Sequence, residues 1–233
     1  MQILAVSTTV LLALALTACG GDDEPAKAPS SSTAATSSST TAAKSAGGCE
    51  PAEAPAAKPD GDERAPRRRL ERGASYDVAV STNCGSFTIR LDTAAAPRTA
   101  ASFVALARSG FFDDTIFHRI VPGFVIQGGD PTATGMGGPG YKIVDRPPRG
   151  AQYTKGVVAM AKAGDERPGT AGSQFFVVTA PDAGLPPDYA LLGRVSAGLD
   201  VVDRIAQLGD AASGQAGTPL EPVVVEKVTA SGP

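Results

Sequence analysis

The first 75 residues of this 233-residue chain contain no Phe, Tyr or Trp, and all 12 aromatic residues fall at or after Tyr76. A segment without large apolar side chains cannot bury enough surface to offset the entropy of ordering it. Folding is therefore expected over about the last 160 residues, a length at which one domain buries well over half of its unfolded surface. The boundary is set at residues 72 and 73, where an Arg-rich run gives way to Gly73.

The start of the chain has its own logic. Ile3 to Leu16 is an apolar run interrupted only by Ser7, Thr8 and Thr9, followed by Thr17-Ala18-Cys19-Gly20. About 14 residues are too few to span a bilayer as a stable helix, but they suit the apolar region of a signal peptide. Small residues directly before Cys19 resemble a bacterial lipobox, in which the Cys is lipidated and becomes the mature N-terminus. No Lys or Arg precedes the apolar run, which departs from that pattern. The expectation is a signal peptide over 1–18 and a lipid-anchored, exported protein on the outer side of the cell membrane, with more than one acyl chain at Cys19.

From Ala28 to Gly48, 17 of 21 residues are Ser, Thr or Ala, and Pro-rich sequence continues through Pro51, Pro55, Pro59 and Pro66. Residues 19–72 are accordingly expected to form a disordered tether. Within it, Arg64 to Arg72 holds five Arg against one Glu. Such a cluster either meets anionic lipid headgroups or is solvated linker, and solvated linker is the expectation. With Cys19 lipidated, Cys49 and Cys84 remain. In an oxidising compartment they are a candidate disulfide, the alternative being two free thiols with Cys84 a small core residue.

Charge and residue counts exclude other classes. Lys and Arg number 21 against 24 Asp and Glu, so a net charge of −3 offers no global basic surface for nucleic acid. One His and three Cys leave no zinc site built from several His or Cys ligands.

In the folded part, Val78–Val80 and Phe87–Leu91 flank Thr82-Asn83-Cys84-Gly85-Ser86 as a β-hairpin. Thr93 to Ser109 carries Ala100, Phe103, Val104 and Ala107 at helical spacing, with Pro97 near its start and Gly110 after it. Short apolar runs follow at Thr115–Ile120, Phe124–Gln127, Gly156–Ala161, Gln174–Thr179, Ala190–Val195 and Val223–Val228, with a second helical pattern over Leu199–Leu208. Seven or eight short strands and two helices suggest a closed antiparallel barrel plugged at its ends.

Gly135-Met136-Gly137-Gly138-Pro139-Gly140 matches the dinucleotide-binding glycine pattern formally, but Pro139 and Tyr141 open no helix. Gly172-Ser173-Gln174 lacks the flanks of a nucleophile elbow, and His118 has no orienting acid at a recognisable spacing. The informative stretch is Phe117 to Asp130, where two strands joined by Pro122-Gly123 carry Arg119, Phe124 and Gln127. If Arg119 and Gln127 share one face, a cation and an amide stand beside an exposed ring, which makes a small apolar groove with two hydrogen-bonding groups.

The blocks FHRIVPGFVIQGGDPTATGMGG (Phe117–Gly138), GVVAMAKAG (Gly156–Gly164), AGSQFFVVTA (Ala171–Ala180) and DYALLGRVSAGLDVVDRI (Asp188–Ile205) resemble the cyclophilin family of peptidyl-prolyl cis/trans isomerases. The resemblance runs from about Tyr76 to Ala230 and implies a mainly β fold, an eight-stranded antiparallel barrel capped by two α-helices. It makes 73–233 an isomerase domain acting on proline-containing polypeptides; together with the leader and the charge balance, the expectation is a monomer working outside the cytoplasm, without nucleic acid. The resemblance implies no metal or other cofactor. It implies that Arg119 is the catalytic cation and that Gln127 holds the substrate backbone. Phe124, Val125, Phe176 and Leu185 then line the proline pocket, with Val125 in place of a Met. Ala161, Lys162, Ala163 and Gln174 border the groove for the preceding residues. His118 supports Arg119 structurally. Three positions depart from the family: Lys162 stands where Asn is common, Tyr189 where His often lies, and Gly184 where many eukaryotic members carry the Trp of the cyclosporin site. The other reading is a non-catalytic module that binds proline-containing chains in the manner of a chaperone.

Overall fold

The computed structural model describes residues 48–233; the apolar leader, the lipobox Cys19 and the Ser/Thr/Ala tract lie outside the described residues. Strand β1 (Asp77–Thr82) turns at Asn83-Cys84 into β2 (Gly85–Leu91). The turn is closed locally, since Thr82 Oγ1 donates to the Gly85 carbonyl at 2.7 Å and accepts from the Cys84 N–H at 3.1 Å. Gly85 has φ +109°, a backbone state that glycine enters at no steric cost.

Helix α1 runs from Pro97 to Arg108, shorter at its start than the Thr93–Ser109 pattern. Proline sits at its first turn, where a missing N–H costs nothing. The next two amides, of Arg98 and Thr99, donate to Asp145 Oδ2 at 2.7 Å each, so the cap comes from 46 or 47 residues away. Beyond α1 come β3 (Thr115–Ile116), β4 (Arg119–Val121), β5 (Val125–Gly128), β6 (Ile143–Val144), β7 (Val157–Met160), β8 (Thr170–Ala171), β9 (Phe175–Val178) and β10 (Leu191–Ala197). Helix α2 (Leu199–Ala206), a kinked 3-10 segment (Ala211–Ala216) and β11 (Val224–Ser231) complete the chain.

Nine strands share one antiparallel sheet in the order β3-β11-β1-β2-β10-β7-β9-β5-β4, and β6 pairs with β8 separately. This is mainly β with few helices, but it differs from a closed eight-stranded barrel. The strand expected over Thr115–Ile120 is broken at Phe117-His118, because the Phe117 N–H turns away to the Val223 carbonyl at 3.0 Å. The two halves pair with different neighbours, β3 with β11 and β4 with β5, and no ladder joins β3 to β4 among the described residues. The sheet is thus a curled half-barrel whose two ends are linked by two residues of chain.

Period-two alternation sorts the side chains. Ile120, Ile126, Val158, Met160 and Phe175 enter the main core with Phe87, Phe103, Phe112 and Phe117. Edge-on contacts knit it, with the Phe175 ring 5.3 Å from Phe103 and 5.9 Å from Phe117. The alternate positions Val125, Val157, Ala159, Phe176 and Val178 form a second apolar cluster on the opposite face, with Tyr153 and Ala180.

The stretch before Tyr76 is more ordered than a loose tether between residues 49 and 61. Cys49 is buried and bonded to Cys84, closing a loop of 35 residues, so the candidate disulfide is present. Asn83 then binds both sides: its Nδ2 donates to the carbonyls of Glu50 (2.8 Å) and Pro222 (3.2 Å), while its Oδ1 accepts from the Val224 N–H at 2.9 Å. Further on, Lys58 N–H donates to Pro131 O at 2.9 Å, Gly61 N–H to Gly138 O at 2.9 Å, and Lys58 Nζ to the Asp113 carbonyl. The segment is an extended strap. The recurring prolines interrupt helix and strand alike, but the backbone between them still finds partners. Among the described residues, no helix is long and apolar enough to cross a membrane.

Candidate active site

One row of residues crosses four strands on the face opposite the main core. Arg119 pairs with Gln127, Gln127 with Phe176, and Phe176 with Ala159, in the ladders β4-β5, β5-β9 and β9-β7. Arg119 and Gln127 therefore share a face, as the alternation of the hairpin requires. The next row, Val121, Val125 and Val178, puts an apolar floor beside it. Pro122-Gly123 turns the hairpin, with Gly123 at φ +68°, and delivers Phe124 to the same side. The Arg119 Cζ lies 5.9 Å from the centre of the Phe124 ring.

The polar groups form a relay. Arg119 Nη1 donates to Gln127 Oε1 at 3.1 Å, and Gln127 Nε2 donates to Gln174 Oε1 at 3.0 Å. Gln174 Nε2 donates in turn to the carbonyls of Gly135 (3.0 Å) and Gly137 (2.9 Å). On its other side the guanidinium is fixed by Gln215, with Nε to the backbone carbonyl at 3.0 Å and Nη2 to Oε1 at 3.3 Å. A guanidinium has five N–H donors. Three are engaged here, leaving one on each Nη to donate elsewhere. Burial pushes the Arg119 pKa down, with the Tyr189 hydroxyl acting the other way; the group stays charged but is half stripped of water.

Behind this row, the loop after β5 is held by Asp130, a wholly buried carboxylate. Oδ1 accepts from Thr132 N–H (2.7 Å) and Thr132 Oγ1 (2.9 Å), and Oδ2 from Gly135 N–H (2.6 Å) and Gly137 N–H (3.2 Å). Burial alone raises this carboxyl, but the bonds from Thr132, Gly137 and Gly135 prevail and hold it below the usual carboxylate range. A side chain at Gly137 would run into Asp130 and Thr132. His118 sits between this loop and Arg119 with neither ring nitrogen hydrogen-bonded. Burial lowers its pKa, Asp130 raises it and Arg119 lowers it further.

The remaining expected positions fall into two groups. Phe176 is buried, with Phe124, Leu185 and Tyr189 packed at the margin of the same apolar cluster. Tyr189 stands edge-on to Phe176 at 5.4 Å and to Tyr153 at 5.9 Å, and Tyr153 Oη donates to the Tyr189 carbonyl at 2.6 Å while accepting its N–H at 3.0 Å. Ala161, Lys162, Ala163 and Gln174 line a cleft of about 190 Å³ together with Gln127, Lys142 and Gly172. Lys162 is not reaching into solvent: its side chain is 4% exposed, pairs with Asp188 at 2.7 Å, and lies 5.7 Å from the Tyr189 ring. The three departures are thus of two kinds. Lys162 and Tyr189 are built into one half-buried contact, whereas Gly184 (φ +63°) faces open space.

Sequence reasoning assigned no role to Gln215, Tyr153, Lys142 or Asp130. Asp130 alone left a local signal, because Asp-Pro-Thr followed by a Gly-rich stretch is the chemistry of a side-chain-capped turn. Gln215 comes from the kinked 3-10 segment, 96 residues further along, and left none.

A family model described as cyclophilin type peptidyl-prolyl cis-trans isomerase/CLD matches residues 77–230. A peptidyl-prolyl cis-trans isomerase-like 1 of Neurospora crassa is 46% identical over 136 residues, covering 57% of this chain and 82% of that protein. The peptidyl-prolyl cis-trans isomerase ppi1 of Schizosaccharomyces pombe is 40% identical over 158 residues, covering 66% and 98%. Both relatives are fungal, and neither bears on a bacterial lipoprotein form. Among solved structures, a Cryptosporidium parvum cyclophilin type isomerase crystallised with the dipeptide Ala-Pro superposes with a TM-score of 0.59 at 30% identity, covering 66% of this chain and 97% of that one.

Proposed function

The chain belongs to the cyclophilin-type peptidyl-prolyl cis-trans isomerases, and from that premise we propose that Arg119 carries catalysis by donating a hydrogen bond to the prolyl nitrogen of the bound X-Pro bond. Rotation about that bond is slow because the amide is partly a double bond, with a barrier of about 18–20 kcal/mol. No covalent bond to protein or water must form. A donor aimed at the nitrogen favours the twisted, pyramidal amide over the planar one, in a site already partly free of water. The observation that carries this reading is the clamped guanidinium, tied by Gln215 and Gln127 on three N–H groups with two left over.

In this proposal Phe124, Val125, Phe176 and Leu185 receive the proline ring. Gln127 holds the substrate backbone, and the cleft beside Gln174 takes the residues before proline. Gln215, which the sequence did not suggest, positions Arg119. The Cys49–Cys84 bridge favours an oxidising compartment. It favours export; the rest of the proposal, a monomer anchored through a lipidated Cys19 that speeds the slow proline steps of exported clients, rests on the sequence of the leader.

The test is cis/trans exchange of an Ala-Pro-containing peptide followed by NMR, with the full chain and its Arg119→Ala variant. Acceleration that collapses in the variant is the expected result. Acceleration surviving within about twofold would remove Arg119 from the mechanism. Peptide-dependent shifts without any acceleration by the native chain would leave a binding module instead.

A further inference from the structure

The strap that precedes Tyr76 does more than cover the surface. Beyond its paired stretch, its Arg67–Arg69 line one open cleft of about 820 Å³ with Arg98 at the start of α1 and with Lys142, Arg146 and Arg167 around the β6–β8 pair. Seven cationic side chains line it and no Asp or Glu does. Two acids next in sequence to lining residues or paired with one have other partners. Asp145 takes the backbone N–H groups of Arg98 and Thr99, and Glu166 pairs with Lys142 at 3.2 Å. Among the described residues, Arg67, Arg68, Arg69, Arg146 and Arg167 have no salt bridge to a carboxylate. Holding seven like charges around one hollow costs self-repulsion, which an anion removes.

Lys142 identifies the occupant, because it lines both this cleft and the one formed by Gln127, Ala161, Lys162 and Gln174. The two hollows therefore meet at Lys142, and a chain that passes over this side chain from the second reaches the first. We propose that the basic cleft is an extended substrate subsite, which selects client polypeptides carrying a run of acidic residues several positions before the proline. The proposal rests on the substrate path given under the proposed function. It converts a cluster that would be solvated linker in isolation into half of a recognition surface, with the strap supplying one wall and the domain the other.

The test compares three peptides that share an Ala-Pro core and carry four Glu, four Ser or four Lys residues upstream, using the full chain. We expect kcat/KM about tenfold higher for the Glu peptide than for the Ser peptide at low salt, shrinking to about twofold near 1 M salt as screening shortens to about 3 Å. The Lys peptide falls below the Ser peptide. Arg68→Ala on the strap and Arg146→Ala on the domain each remove most of the gain, while Ser-peptide turnover stays unchanged. Equal turnover of all three peptides overturns the proposal. A gain that survives Arg146→Ala also overturns it, since a linear run of arginines would then suffice. Titrating the same peptides into Arg119→Ala reads affinity without turnover. A chain that prefers the Glu peptide there but isomerises nothing in its native form would overturn the catalytic reading and sustain this one.

Discussion

Arg119 and Gln127 face each other across the β4-β5 ladder, with Nη1 donating to Oε1 at 3.1 Å. Because Gln127 is also tied to Gln174, the position of the cation depends on a side chain from another strand region and, through Gly135 and Gly137, on the loop after β5.

Removing the middle of this relay separates orientation from charge. Gln127→Leu keeps the guanidinium and the shape of the floor but strands a partly buried donor and the Gln174 carbonyl. We expect kcat/KM for an Ala-Pro peptide to fall tenfold to a hundredfold, the scale of about 1–3 kcal/mol for an unsatisfied polar group. Protease-coupled or NMR exchange rates check this, and an unchanged rate would detach Gln127 from the site.

Arg119→Lys addresses the donor geometry. A lysine retains the charge but cannot donate simultaneously to Gln215, Gln127 and substrate in one plane. Its rate is expected near that of Arg119→Ala, which we place about 2–4 kcal/mol above the native barrier by analogy with lost oxyanion donors. A lysine variant with most of the native rate would show that charge alone suffices.

The Asp130 cradle admits a steric test. Gly137→Ala inserts a methyl into the space of Asp130 and Thr132. The loop must open, Gln174 loses an acceptor, and KM should rise several-fold more than kcat falls. Steady-state kinetics at several peptide concentrations distinguishes the two.

His118 makes stability depend on pH. Its folded pKa lies below the ordinary 6.5, chiefly through burial. Above that value both folded and unfolded states are neutral and nothing is lost. As pH falls below it, the unfolded chain takes up a proton that the folded chain refuses, so stability drops with acidification. Denaturation midpoints measured from pH 8 to pH 5 should fall, and the slope should flatten in His118→Gln. An equal slope in that variant would assign the effect to other groups.

The disulfide is expected to stabilise through its 35-residue loop by about 3–4 kcal/mol on a chain-entropy estimate. Reduction, or Cys49→Ser, should lower the denaturation midpoint and expose the amides of Lys58 and Gly61 to hydrogen exchange. Protection that persists there would mean that Pro131 and Gly138 hold the strap unaided.

Much of the sheet was legible because alternation is local. The β1-β2 hairpin, the face shared by Arg119 and Gln127, and the opposite fates of Phe175 and Phe176 all follow from a period of two. Helix α2 began at Leu199 as its spacing indicates. What escaped was set at a distance. The true start of α1 is fixed by Asp145, the guanidinium by Gln215, and the strap by carbonyls at Pro131 and Gly138. A Pro- and Ala-rich segment carries no periodic signal, so its composition read as disorder while its backbone was paired. Strands β6 and β8, two residues each, are too short for any pattern.

The seam between β3 and β4 has a consequence for the company such a protein keeps. A row of unpaired amides along a sheet is a template for any extended chain, and unfolded polypeptides are rich in extended chain. Here the terminal strands are two and three residues long. The outer side of β4 is also occupied, since the Ile120 N–H donates to the Gly217 carbonyl at 2.7 Å. Gly217, at φ +65°, could bear no side chain without striking Val121 and Arg119. On the proposed function, clients meet a groove for proline beside a strand end that offers their own strands little to zip onto, and what is held there can be let go.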